Sequence, residues 1–329
     1  MSVLVTGGGG YIGSHMVWHL TDAGEDVIVV DNLSTGFDWA IAPEAVFVEG
    51  DCGDAGLIGR LIGEHAIDAI VHFAGSLNVE ESVSDPLVYY ANNTAKSRTL
   101  IELAVKAGVE HFVFSSTAAV YGTPDSYPVS EDAPLRPESP YGRSKLMTEW
   151  MLADAAAAHG LRYAALRYFN VAGADPKGRT GESTRNTTHL VKISCQAALG
   201  KRDGLTVFGS DYDTPDGTGV RDYIHVTDLV AAHADALEAL RAGESNLVAN
   251  CGYGRGFSVL EVVETVKRVS GNDFAVTLGP RRAGDPAAVV ASPERIVERL
   301  GWTPHHDDLD RIVESALRWE DALSRRNRH

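Results

Sequence analysis

The sequence predicts an α/β fold in which a doubly wound parallel sheet is followed by a smaller, mixed α/β domain. The first observation is a set of short apolar runs bounded by polar residues, a pattern that predicts strands. These runs lie at residues 2–6, 26–31, 45–49, 68–72, 111–115 and 162–167. The second observation is helical periodicity between them, at residues 11–23, 86–106 and 141–159. Strands that alternate with helices require right-handed crossovers, and therefore a parallel sheet covered on both faces.

The second half of the chain is less regular. A stretch at residues 173–219 is rich in glycine and is interpreted as loop, and candidate helices follow at 227–241, 258–269 and 307–323. A chain of 329 residues exceeds what one core usually supports. We therefore expect a first domain of residues 1–170, to which a segment at about 220–250 returns, and a second domain of residues 171–329.

Composition excludes several classes of protein. With 44% hydrophobic and 22% charged residues, the chain has ordinary globular usage. A formal net charge of −16 argues against binding to nucleic acid or to an anionic membrane surface, since both need a basic face. No apolar run reaches the ~20 residues that span a bilayer, and no signal peptide is evident. The three cysteines match no metal or disulfide spacing, so we expect no metal and a cytoplasmic location.

A glycine-rich turn follows the first predicted strand and opens the first predicted helix. Residues 6–13 include Gly7, Gly10 and Gly13, which allow a tight turn and close approach of phosphate oxygens to backbone amides. Asp31 ends the second strand and can accept hydrogen bonds from an adenosine ribose while repelling a 2′-phosphate, which favours NAD over NADP. The alternative is a structural turn followed by a capping aspartate. Asp51 is equally suited to contacting adenine or to capping the next helix.

Tyr141 and Lys145 are placed for proton transfer. Their i, i+4 spacing puts both side chains on one helix face, and an ammonium near a phenol lowers the pKa of the tyrosine. Such a tyrosine can take a proton from a sugar hydroxyl as hydride leaves the carbon. An exposed helix pair is the alternative. Thr117, where the fifth strand ends, could hold the reacting oxygen. Dehydration of a sugar needs an additional acid and base, and the side chains of Ala118 and Ala119 that follow can neither donate nor accept a proton, which disfavours that reaction.

These motifs resemble the extended short-chain dehydrogenase/reductase family and, within it, the UDP-glucose 4-epimerases. The resemblance runs through residues 6–13, 72–75, 114–122, 141–145, 167–170, 216–226 and 281–285. It implies an NAD-dependent isomerase of nucleotide sugars, with a Rossmann domain for NAD, a second domain for the UDP-sugar and a homodimer paired through two helices of the first domain. The activity implied is interconversion of UDP-glucose and UDP-galactose through a 4-keto intermediate. Alternatives are a UDP-uronate epimerase or decarboxylase, a net dehydrogenase and a non-catalytic NAD-sensing protein.

The resemblance also assigns roles to residues. It makes Tyr141 the acid and base, Lys145 its partner and a ligand of the nicotinamide ribose, and Thr117 the residue at the sugar O4. The implied cofactor residues are Gly7, Gly10, Tyr11, Ile12, Asp31, Asn32, Asp51, Cys52, Phe73, Ala74, Gly75, Asn92, Ser115, Tyr141, Lys145 and Tyr168. The implied substrate residues are Thr117, Tyr141, Asn170, Phe208, Arg221, Tyr223, Arg282, Asp285 and Val289.

Three positions depart from the family pattern. Leu77 stands where some members have a lysine that binds the cofactor, and His189 stands where a UDP-binding asparagine is common. Val289 occupies a position where some members carry a bulky tyrosine. A smaller side chain leaves room for an N-acetyl group, so we expect UDP-N-acetylglucosamine to be turned over as well.

Overall fold

A computed structural model of the chain describes residues 1–185, 187–282 and 285–326. The strands are β1 Ser2–Thr6, β2 Asp26–Asp31, β3 Val46–Glu49, β4 Ile67–His72, β5 His111–Thr117, β6 Arg162–Tyr168, β7 Asn170–Ala172, β8 Gly204–Phe208, β9 Val220–His225, β10 Leu247–Cys251, β11 Gly256–Ser258, β12 Ala275–Gly279 and β13 Ala288–Val289. The helices are α1 Tyr11–Asp22, α2 Ala55–Glu64, α3 Val79–Ser84, α4 Pro86–Tyr89, α5 Lys96–Ala107, α6 Pro140–His159, α7 Leu190–Ala198, α8 Val226–Arg241, α9 Val259–Ser270, α10 Glu294–Leu300 and α11 Leu309–Arg326.

Seven parallel strands form the central sheet, in the order β10-β6-β5-β4-β1-β2-β3. Because side chains alternate along a strand, each strand contributes to two cores. Val3 and Val5 pack with α1 and α8 on one face, whereas Leu4 packs with α2 and α5 on the other. This arrangement confirms the predicted doubly wound α/β fold. The strand order reverses between β1 and β4, which is where such sheets bind ligands.

The second half of the chain contributes to both the central sheet and a smaller unit. Helix α8 packs against α1, and β10 forms the edge of the central sheet beside β6. Elsewhere β7, β11 and β13 all pair with β9, and β8 pairs with β12. A separate core lies between α7, α9 and α11.

Two predicted elements are wrong. The stretch 173–219 is not all loop, because α7 and β8 lie within it. The single helix predicted at 86–106 is interrupted, since a π-helical segment, Tyr90–Ala95, separates α4 from α5. Within the described part of the chain, no helix is both long and apolar enough to cross a bilayer.

Buried histidines predict a loss of stability in acid. Burial lowers the pKa of His15 and His233 to about 4, and that of His72 and His225 to about 3. All four lie below the unfolded value of ~6.5, so the unfolded chain binds protons first as the pH falls. Their contribution to the free energy of unfolding is fully present above pH ~6.5. As the pH falls towards ~4, each histidine loses about 1.4 kcal/mol of that contribution per pH unit. His189 acts oppositely, since the charge of Glu182 raises its pKa.

We therefore expect the urea midpoint of unfolding to be lower at about pH 5 than at about pH 7.5. Unfolding at the lower pH should also take up protons, which calorimetry in buffers of different ionisation enthalpy can measure. An equal or higher midpoint at the lower pH would contradict the prediction.

Candidate active site

The glycine-rich turn between β1 and α1 is too tight for side chains at two positions. Gly7 has φ +77°, and a Cβ there would lie 2.6 Å from the nitrogen of Ala74. At Gly13 a Cβ would lie 2.0 Å from the carbonyl oxygen of Gly7. The first amide groups of any helix have no intrahelical acceptor. Gly10, which precedes α1, has no side chain that could accept from them. The turn is therefore suited to an anionic group such as a pyrophosphate.

The two aspartates predicted to contact the adenosine of the cofactor both line a cavity at the carboxyl edge of the central sheet. Asp31 accepts hydrogen bonds from the amides of Gly9 at 2.8 Å and Leu33 at 2.7 Å. Asp51 is ion-paired with Lys96 at 2.5 Å; burial opposes ionisation, but hydrogen bonds from Lys96 and a backbone amide outweigh it and lower the pKa of Asp51. The alternative of Asp51 as a helix cap is wrong, because Asp54 caps α2.

A cavity of about 770 Å³ runs along the carboxyl edge of the central sheet. Every residue predicted for the cofactor lines it: Gly7, Gly10, Tyr11, Ile12, Asp31, Asn32, Asp51, Cys52, Phe73, Ala74, Gly75, Asn92, Ser115, Tyr141, Lys145 and Tyr168. The buried hydroxyl of Ser115 has no hydrogen-bond partner among the described residues. A glycine cradle, free amides and an unpaired hydroxyl are features that a bound dinucleotide would use.

Tyr141 lies in the first turn of α6, where Ser139 caps the helix by accepting from the amide of Gly142 at 3.1 Å. The side chain is buried, and burial raises the pKa of Tyr141; the hydroxyls of Thr117 and Tyr168 approach the phenol and partly oppose this rise. Thr117 itself accepts from the amide of Ala119 at 3.2 Å. The structure therefore brings three hydroxyl groups together where β5, β6 and α6 meet.

Lys145 does not act on Tyr141 as the sequence predicted. Its ammonium donates to the carbonyl oxygen of Ser115 at 3.0 Å and lies 4.9 Å from the ring centroid of Phe114. Burial lowers the pKa of Lys145 to about 8. The expected lowering of the tyrosine pKa by this lysine is therefore wrong for this structure, because desolvation dominates and the ammonium is directed to a carbonyl.

The predicted substrate residues fall into two groups. Asn170 and Tyr223 line the cavity together with Tyr141. Among the residues that the structure describes, the others do not line it: Thr117, Phe208, Arg221, Arg282, Asp285 and Val289. Ala283 and Gly284, which belong to the 281–285 motif, lie outside the described residues.

Most of this second group forms a cluster of its own. Arg221 is ion-paired with Asp285, and the guanidinium of Arg282 lies 4.3 Å from the ring centroid of Phe208. Arg282 also reaches Glu80 of α3 at 3.3 Å. Two guanidinium groups, one of them stacked on an aromatic ring, are an arrangement that suits a nucleoside diphosphate.

Sequence reasoning missed a buried ion pair behind the three hydroxyls. Arg167 of β6 donates to both carboxylate oxygens of Glu149 on α6, at 3.0 and 2.6 Å. Ser116 donates to the same carboxylate, and Arg167 also donates to Tyr121 at 2.9 Å. The available signal was an arginine within an otherwise apolar strand. These residues hold β5, β6 and α6 together beneath Thr117.

A second missed pair lies at the start of α7. Nδ1 of His189 lies 2.8 Å from the buried carboxylate of Glu182, and the charge of Glu182 raises the pKa of His189 against the effect of burial. Thr184, Arg185 and His189 all line the cavity. The loop preceding α7 therefore contributes to the site, although its glycine content predicted only a connection.

Comparison with known proteins identifies the family. Residues 3–252 match the model of the NAD dependent epimerase/dehydratase family, and the chain belongs to this family. It is 59% identical to the UDP-glucose 4-epimerase of Azospirillum brasilense over 98% of this chain and 92% of that protein.

Two solved structures extend the comparison. The UDP-glucose 4-epimerase of Brucella ovis in complex with NAD is 45% identical, with a TM-score of 0.94 over 97% of this chain and 98% of that one. The UDP-Glc/GlcNAc 4-epimerase of Campylobacter jejuni is 47% identical, with a TM-score of 0.85 over 98% and 99% of the two chains. These findings confirm the resemblance and the fold predicted from the motifs.

Proposed function

We propose that this protein interconverts UDP-glucose and UDP-galactose by inverting carbon 4 of the sugar, with NAD as its resident cofactor. The observation that carries the proposal is that Tyr141 and Tyr168 line the cavity between the dinucleotide cradle and Asn170, with the hydroxyl of Thr117 approaching Tyr141 from β5. A reacting hydroxyl placed there would face a proton acceptor and a hydride acceptor at once.

Each residue of this centre has a distinct part in the proposal. NAD, held by the residues of the glycine-rich turn, would supply reversible hydride transfer to and from carbon 4 of the sugar. Tyr141 takes the proton from the sugar O4 and later gives it back, while Thr117 holds the same oxygen by a hydrogen bond. Because burial raises the pKa of Tyr141, the phenol needs a nearby cation to ionise, and NAD when bound would supply the positive charge of its nicotinamide ring.

The 4-keto sugar must rotate inside the site while the UDP-sugar stays bound to the protein. We assign the attachment to UDP, held by Arg221 and Arg282 at the diphosphate and by Asn170, Phe208 and Tyr223 around it. In this structure Arg221 is ion-paired with Asp285 and Arg282 with Glu80. A bound diphosphate would replace these two carboxylates as the partner of the guanidinium groups. Firm binding of UDP with few contacts to the sugar allows the sugar to rotate.

Purified protein incubated with UDP-galactose, without added NAD, tests the proposal. Conversion to UDP-glucose on chromatography, with no net rise in NADH absorbance, is the expected result. Stoichiometric release of NADH would instead indicate a net dehydrogenase. A folded protein that converts neither UDP-galactose nor UDP-glucose, even with NAD supplied, would overturn the proposal.

The small side chain of Val289 predicts a broader choice of sugar. Val289 of β13 pairs with Arg221 of β9, one of the residues assigned to the diphosphate, and this pairing supports a place for Val289 near the substrate. We expect UDP-N-acetylglucosamine and UDP-N-acetylgalactosamine to be interconverted, and Val289→Tyr to lower this activity at least tenfold more than activity on UDP-glucose, since excluding a group from a pocket is worth roughly 1–3 kcal/mol. No detectable turnover of the N-acetylated sugars, against clear turnover of UDP-glucose, would contradict the prediction.

We infer that the enzyme acts as a homodimer in the cytoplasm and that residues 1–170 hold NAD while 171–329 mainly hold the UDP-sugar. The dimer rests on the family resemblance, which pairs two helices of the first domain; on α6 of that domain Trp150 is 56% exposed, and such pairing would cover it. Sedimentation velocity tests the dimer directly. The return of α8 and β10 to the central sheet supports the assignment of about 220–250 to the first domain.

A further inference from the structure

The loop segment from Gly173 to Arg185 is fixed onto α1 and overlies the glycine-rich turn. The hydroxyl of Tyr11 donates to the carbonyl of Gly173 at 2.7 Å, and the buried hydroxyls of Ser14 and Thr180 are 2.7 Å apart. These contacts anchor the loop at both the first and second turns of α1. A loop held in this way has a defined position relative to the amides that the turn presents.

Arg185 extends from this loop into the cavity. It lines the cavity, and its guanidinium carbon lies 6.0 Å from the ring centroid of Phe37. Phe37 is itself fixed to the turn, since its amide donates to the carbonyl of Gly9 at 2.9 Å. Arg185 thus lies beside a ring that is attached to the glycine-rich turn.

The other cations that line the cavity already have partners. Lys96 is ion-paired with an aspartate, and the ammonium of Lys145 is bound to a carbonyl oxygen. His189 is held by Glu182. Arg185, by contrast, has no carboxylate within ion-pair distance anywhere in residues 1–185, 187–282 and 285–326. Within those residues, the other lining cations each have a carboxylate or carbonyl partner, and Arg185 has neither.

We propose that Arg185 binds the pyrophosphate of NAD and closes the cofactor site at the glycine-rich turn, a role that rests on the NAD-dependent function proposed above. A pyrophosphate carries two negative charges, and the helix amides satisfy them only in part. A guanidinium that lines the same cavity can add charge-assisted hydrogen bonds. Leu77, which also lines the cavity, cannot supply this charge. Arg185 therefore slows the escape of the cofactor.

Exchange of bound NAD for isotope-labelled NAD tests the proposal without reference to catalysis. We expect Arg185→Gln to exchange at least tenfold faster than the natural protein, because a charge-assisted hydrogen bond contributes roughly that factor or more. Arg60→Gln is the matched control; it removes an exposed arginine on α2 and should exchange at the natural rate. Leu77→Lys combined with Arg185→Gln should slow exchange again, because it restores a cation to the lining.

The outcomes separate this inference from the proposed function. Equal exchange rates for Arg185→Gln, Arg60→Gln and the natural protein would overturn the role of Arg185 alone. Weakened binding of UDP with unchanged NAD exchange would also overturn it, because Arg185 would then serve the substrate. A natural protein that neither retains nor binds NAD would overturn the proposed function and this inference together.

Discussion

Replacing Tyr141 with phenylalanine is expected to lower the rate of UDP-galactose epimerisation by roughly 10²–10⁴-fold. The substitution removes the only atom of this side chain that can exchange a proton and preserves the buried ring. Thr117 and Tyr168 keep their hydroxyls, but the aliphatic hydroxyl of Thr117 is a much weaker acid than a phenol, and burial raises the pKa of Tyr168 further above its usual value than that of Tyr141. They should therefore not replace the missing base.

The control for this variant is Tyr127→Phe, which removes a hydroxyl from a tyrosine that is 55% exposed. It should leave the rate unchanged. Both proteins should retain NAD, measured by acid extraction and chromatography, because the phenylalanine keeps the ring that lines the cavity. If Tyr141→Phe kept more than about a tenth of the natural rate, a different proton acceptor would have to be assigned.

The central sheet could be predicted from the sequence because its strands are buried on both faces. Strands such as β1 and β5 are nearly continuous apolar runs, and the polar residues at their ends mark where they emerge at the ligand-binding edge. The second half lacks this signal. Helix α7 is only nine residues long, Leu190–Ala198, and the glycine-rich stretch before it masks its periodicity. The π-helical segment in the predicted helix at 86–106 gives no signal in the side-chain pattern.

The candidate site divides in the same way. Cofactor residues such as Gly7 and Asp31 follow strand ends directly, so local sequence predicts where they gather. Thr184 and Arg185 reach the cavity only because the loop folds back onto α1, and no local pattern specifies that path. The pKa of Tyr141 was predicted in the wrong direction because spacing along a helix gives the distance to Lys145 but not the burial of either group.

The pair of Glu149 and Arg167 explains how a buried charge can occur in the middle of the sheet. Each residue has 4% of its surface exposed, and together they form two charge-assisted hydrogen bonds. The carboxylate also accepts a hydrogen bond from the hydroxyl of Ser116, so both of its oxygen atoms have hydrogen-bond donors. Because both charges are desolvated, apolar residues of the same size in place of the whole pair would often be equally or more stabilising. Removing one partner has a much larger effect, because the other charge is then buried alone.

Glu149→Ala is therefore expected to lower the free energy of unfolding by roughly 3–5 kcal/mol. Glu64→Ala provides the contrast, because it breaks the exposed pair with Arg60, in which both side chains are 53% exposed, and should change stability by about 0.5 kcal/mol or less. Urea unfolding of the two variants and the natural protein, at one concentration of NAD, measures both effects. Similar midpoints for all three proteins would mean that Arg167 finds another partner or water, and that the buried pair does not hold α6 against the sheet. A large loss confined to Glu149→Ala would show that the layer directly beneath Thr117 depends on this single carboxylate for its geometry.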